Sequence, residues 1–108
     1  MKLPIELRQR NLTLPEGVAQ DIRDRAEKLD HFHDKIMRCS ITVEGPGKHH
    51  HQGKMKVQID LTIPGAEIVV NRQEGDTLEL ALRGAFDAAA RQLEDHVRKS
   101  RGHVKRHE

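Results

Sequence analysis

Residues 55–70 read Met55-Lys56-Val57-Gln58-Ile59-Asp60-Leu61-Thr62-Ile63-Pro64-Gly65-Ala66-Glu67-Ile68-Val69-Val70, and this run decides the fold. From Met55 to Ile63 apolar and polar side chains alternate strictly, the period of a strand with one dry face and one wet face. Pro64-Gly65 is a natural tight turn, so Ala66 to about Asn71 is predicted to fold back as the next strand. A hairpin with one apolar face cannot stand alone in water. Its partners must come from the flanking sequence.

Downstream, Asp76-Thr77-Leu78-Glu79 has the form of a capping box with Asp76 as the N-cap, and it opens a helix. Leu78, Leu82, Ala85, Phe86, Ala89, Leu93 and Val97 then fall within one arc at helical spacing. Upstream, Met37, Cys39, Ile41 and Val43 alternate with polar residues as a strand that ends at Gly45-Pro46-Gly47. Before it, Val18, Ile22, Ala26 and Leu29 recur at helical spacing to about residue 33, with Thr13 or Asn11 as candidate caps and Pro15 suited to the first turn. At the beginning, Leu3, Ile5 and Leu7 alternate with Pro4, Glu6 and Arg8, and Pro4 points to an edge position or a strand start.

The predicted order is βαβββα. Two helices and four strands with one apolar face each bury those faces by stacking both helices on the same side of a mainly antiparallel sheet, an α+β two-layer sandwich. The other face, with Arg38, Ser40, Thr42, Lys54, Lys56, Gln58, Asp60 and Thr62, is too polar to form a second core. A chain of 108 residues fits one such domain, over residues 1–100, followed by a basic tail at 101–108.

Net charge is +2, but it is polarised: residues 98–108 carry +4 and the rest −2. A basic terminus is a common footprint of contact with phosphate backbones, although a solvated polar tail has the same composition. Phe32 and Phe86 are the only aromatics, a poor stock for a module built on stacked single-stranded bases. The single Cys39 cannot close an intramolecular disulfide, the N-terminus lacks the apolar run of a signal peptide, and no stretch approaches the length of a membrane span. A soluble cytoplasmic protein is expected.

No motif carries catalysis. There is no glycine-rich phosphate loop and no nucleophile elbow, and Cys39 lies on the apolar side of its strand, where a thiol is poorly activated. Lys48-His49-His50-His51, with His31 and His33 elsewhere, suggests a metal, but adjacent histidines between glycines lack the paired spacing of a structural zinc site. No metal or other cofactor is expected. On the second helix Arg83, Asp87, Arg91, Glu94 and Arg98 form one outward stripe with three i,i+4 pairings, Arg83/Asp87, Asp87/Arg91 and Glu94/Arg98. Such a stripe stabilises a helix with no partner at all. It also runs into Arg98, Lys99, Arg101, Lys105 and Arg106, and a helix-plus-tail ridge of that kind is suited to displacing counterions from RNA.

Four stretches in the same order and spacing carry a resemblance: Ile5-Glu6-Leu7-Arg8-Gln9-Arg10-Asn11, Ala26-Glu27-Lys28-Leu29-Asp30-His31-Phe32, Lys56 through Glu67, and Ala85-Phe86-Asp87-Ala88-Ala89-Ala90-Arg91-Gln92-Leu93-Glu94. Together they resemble the ribosome hibernation promoting factor family, which includes the short ribosome-associated translation inhibitors. The resemblance implies a βαβββα fold similar in outline to a double-stranded RNA binding domain. It further implies a seat in the mRNA and tRNA channel of the small ribosomal subunit, where the factor sterically inhibits translation under stress. The positions that match the family's rRNA-binding cations in kind are Arg25 and Lys28 on the first helix and Arg83, Arg91, Arg98 and Lys99 on the second, with Arg101, Lys105 and Arg106 in the tail; Arg23 lies further round its helix. Asp87, Glu94 and Asp95 make the second helix more acidic than the family pattern. The family's long form carries a C-terminal dimerisation domain that is not in this sequence, and the loop and ending look like a subgroup often followed by a cold-shock domain. The rival reading is a protein-interaction module of the sigma factor modulation type, working through a sheet edge or the Arg38, Lys54 and Lys56 face.

Overall fold

The computed structural model describes residues 3–33, 35–46 and 54–105. The chain runs β1 (Ile5–Arg10), α1 (Glu16–Phe32), β2 (Arg38–Glu44), β3 (Met55–Ile63), β4 (Ala66–Gly75) and α2 (Leu78–Lys105). This is the predicted α+β order. The strands form one sheet in the order β1-β2-β3-β4. β2, β3 and β4 meet antiparallel, whereas β1 lies parallel to β2, because α1 carries the chain back to the end of the sheet from which β1 set out.

The alternation seen in the sequence becomes rungs of buried and half-buried side chains across the sheet. Leu7 stands opposite Ile41, Ile41 opposite Ile59 and Ile59 opposite Val70, while Cys39 faces Leu61 and Leu61 faces Ile68. Above them sit Ala19, Ile22, Ala26 and Leu29 of α1, and Ala81, Leu82, Ala85, Phe86, Ala89 and Leu93 of α2. α2 packs on β4 and β3, and α1 lies beside it toward β1. Among the described residues no polar or charged side chain is buried, so the open face of the sheet is a wet surface.

Local details depart from the sequence reading. β4 continues to Gly75 rather than ending near Asn71, because it takes an extra residue opposite β3: Val57 pairs with Gln73 and Ile59 with Val70. That bulge breaks the period-two pattern on which the prediction relied. Pro64-Gly65 makes the expected hairpin turn, with Gly65 at φ +77 where a second central residue of a type II turn needs positive φ. Met37 is exposed and lies outside β2, and Ile36 is buried instead. α1 has Pro15 as its N-cap with no side-chain cap, and Asn11, a predicted cap candidate, takes a left-handed turn at φ +59. At α2 the cap is Thr77 rather than Asp76: its Oγ1 accepts the Leu80 N–H at 3.2 Å. This corner is tight. A Cβ on Gly75 would lie 2.6 Å from the Ala81 nitrogen, so only glycine turns the strand into the helix here. α2 then runs unbroken past residue 100 to Lys105.

Candidate nucleic-acid interface

The helical layer carries the cations that the sequence singled out, and packing sorts them. On α1, Asp21, Arg25, Lys28 and Phe32 recur at intervals of four, three and four residues and therefore share one flank. Arg25 fixes which way it faces. Its Nη2 donates to Glu79 Oε1 at 2.6 Å and its Nε to Asp21 Oδ2 at 3.2 Å, so this flank borders the start of α2. The hydrogen bond from Arg25, followed by its charge, holds the Glu79 carboxyl below the usual carboxylate value, and Glu79 in turn raises the guanidinium. Arg25 thus joins the two helices. Lys28, one turn further on, is exposed with no ion pair among the described residues.

α2 does not form the ladder of pairs predicted for it. Arg83 reaches back to Glu79 at 3.9 Å rather than forward to Asp87, and of the three predicted pairings the Glu94–Arg98 contact forms, at 3.1 Å. Glu79 gathers two arginines because it stands where the helices meet. Arg91 is exposed with no salt bridge among the described residues, as is Lys99. Arg23 pairs loosely with Glu16 at 3.7 Å. The backbone of α2 carries Arg101 and Lys105. Arg106 lies outside the described residues.

The opposite surface is different in kind. Glu6 accepts from Arg38 at 3.0 Å and from Arg8 at 3.3 Å, and the Arg38 hydrogen bond is the main cause of its lowered pKa. Lys56 stands 4.0 Å from Glu74 across the hairpin. A shallow depression of about 160 Å³ opens among Arg8, Arg10, Thr42, Glu44, Lys56, Gln58 and Asp60. Its charges alternate in sign, and Gln58 donates to Asp60 on its floor.

Cys39 has no chemistry to offer. Burial, reinforced by the charge of Asp60, pushes its thiol up to about 12, so it stays protonated at neutral pH. Among the described residues no three His, Cys, Asp or Glu side chains come together as a metal site, and the His49-His50-His51 loop lies outside those residues. No described helix is long and apolar enough to cross a membrane.

Two features escaped the sequence reading. Nothing local announces the Arg25–Glu79 bond, which spans 54 positions. Phe32, one of two aromatics and the last residue of a family-like stretch, is 82% exposed at the end of α1.

The model of the family described as sigma 54 modulation protein / S30EA ribosomal protein matches residues 5–101. Among solved structures, the fold is similar to a ribosomal subunit interface protein from Coxiella burnetii, with TM-score 0.74 and 14% identity over 87% of this chain and 97% of that one. It is also similar to the N-terminal domain of Protein Y from Thermus thermophilus, with TM-score 0.71 and 22% identity over 89% and 99% of the two chains. At these identities the likeness shows the fold alone. No curated protein sequence matches the chain.

Proposed function

Because the chain belongs to the sigma 54 modulation protein / S30EA ribosomal protein family, we propose that it is a non-enzymatic, cytoplasmic factor of ribosome hibernation. On this reading it seats in the mRNA and tRNA channel of the small subunit and blocks translation sterically under stress. One observation carries the reading: the helical face presents exposed cations that have no carboxylate partner. Lys28, Arg91 and Lys99 stand there without carboxylate partners among the described residues, beside Arg23, Arg25, Arg83 and Arg98, which are paired. Unpaired cations on a rigid layer are what a polyanion can use, since binding releases counterions and breaks no internal bond.

Lys28, Arg91 and Lys99 meet rRNA phosphates directly, Arg83 and Arg98 do so on leaving Glu79 and Glu94, and Arg101, Lys105 and Arg106 add to the contact. Arg25 works from behind the surface, holding α1 against α2 so that Lys28 is presented beside the second helix. These contacts position the protein and read no base sequence.

Co-sedimentation of the protein with purified small subunits across a salt series tests this. The bound fraction should fall steeply and log-linearly with salt, and Arg91→Glu with Arg98→Glu should abolish binding while circular dichroism stays unchanged. Binding that ignores salt, or that survives the double reversal, would instead support the protein-interaction reading of the sheet face.

A further inference from the structure

We infer that Phe32 is a stacking platform for one unpaired base of the RNA that the helical face contacts; this rests on the ribosomal reading above. The chain has two phenylalanines and no Tyr or Trp. Phe86 is in the core, whereas Phe32 keeps 82% of its surface in solvent, so a whole ring face is open to a partner. Exposing an aromatic in so aromatic-poor a protein forgoes burial worth having, and the core has not claimed it.

Its surroundings point to a nucleotide rather than an apolar protein groove. Phe32 lies one turn beyond the unpaired Lys28 on the flank of α1 that Arg25 binds to α2. The nearby carboxylates of α1, Glu27 and Asp30, stand on the far side of the helix at 3.6 residues per turn. His31 and Lys35 are exposed on either side of it in sequence. The other large exposed apolar residues described, Met37, Val69 and Leu80, belong to other parts of the chain, the segment before β2, β4 and α2. A single flat ring with a cation at one turn's distance has the elements of base stacking plus phosphate contact.

The test uses the full chain with purified small subunits at one fixed salt concentration. Phe32→Ala and Phe32→Leu should each weaken binding by about 5- to 150-fold, the range for loss of one base–aromatic stack, with unchanged circular dichroism. Phe32→Trp should bind as the wild type does, and its indole, the one tryptophan in the protein, should be quenched on binding. Wild-type affinity in Phe32→Ala overturns the inference while the salt-dependent binding of the parent protein leaves the ribosomal reading standing. Wild-type affinity in Phe32→Leu, or an unquenched indole in the bound Phe32→Trp protein, also overturns it, since an apolar pocket accepts leucine and a stack does not. If the parent protein does not bind subunits at all, both readings fall.

Discussion

Neutralising three arginines one at a time should separate cations that bind RNA from the one that builds the surface. Arg91 has no salt bridge among the described residues, Arg98 shares a hydrogen bond with Glu94 at 3.1 Å, and Arg25 is held by Glu79 and Asp21 with its side chain only 22% exposed. Each phosphate contact contributes about 0.7 to 0.9 to the slope of log affinity against log salt. Arg91→Gln and Arg98→Gln should therefore each flatten the slope by about 0.8, and the double variant by about 1.6. Arg98 must first leave Glu94, an exposed helical pair worth about 0.4 kcal/mol, so its loss should cost about twofold less affinity than loss of Arg91. Arg25→Gln should leave the slope alone and lower the melting temperature, because it removes the bond between the helices rather than an RNA contact. Sedimentation with small subunits at four or more salt concentrations, with thermal melts of the free proteins, measures both quantities. A flattened slope with an unchanged melting temperature for Arg25→Gln would refute this division of labour.

The corner before α2 gives a second prediction: Thr77→Ala should cost about 1 kcal/mol in denaturant unfolding and Asp76→Ala much less, because Thr77 holds the Leu80 N–H. Leu82→Ala, at a site 2% exposed, should cost about 3 kcal/mol in the same measurement. The lowered pKa of Glu79 stabilises the fold at neutral pH, and this contribution should be lost as pH falls from the ordinary value of 4.5 toward the lower folded value. The wild-type melting temperature should then drop more than that of Glu79→Gln below pH 4.5, and parallel curves would remove Glu79 from the acid response. Cys39, with its thiol at about 12 and no exposed surface, should react with a thiol reagent at pH 8 only as fast as the protein opens; reaction at the rate of a free thiol would contradict its burial.

The strands and helices were legible because their periods are clean: Met55 to Ile63 alternates without a fault, and Ile22, Ala26 and Leu29 recur as a helix requires. Legibility failed where a residue's role depends on something distant or on one extra residue. The β4 bulge hides strand continuation behind a break in alternation, and at the tight corner after Gly75 the cap is Thr77, one residue later than the capping-box pattern places it. For the interface, the sequence offers cations on both helices but no means of telling which of them are paired. In the sequence Glu79 is half of a capping box, and only the packing of α1 beside α2 shows it collecting Arg25 and Arg83. Exposure of Phe32 was equally invisible, since spacing from Leu29 and Lys28 suits either a buried or an outward ring.

The parallel pairing of β1 with β2 orders events as the chain folds. β2, β3 and β4 are sequential neighbours that zip together through short-range contacts, whereas β1 has no neighbour of its own until α1 and β2 have both been formed. Closing that long loop delays its gain until after its entropy has been lost. The strand that comes first in this sequence is therefore among the last to be locked, and an amide-exchange experiment should find β1 the earliest strand to open.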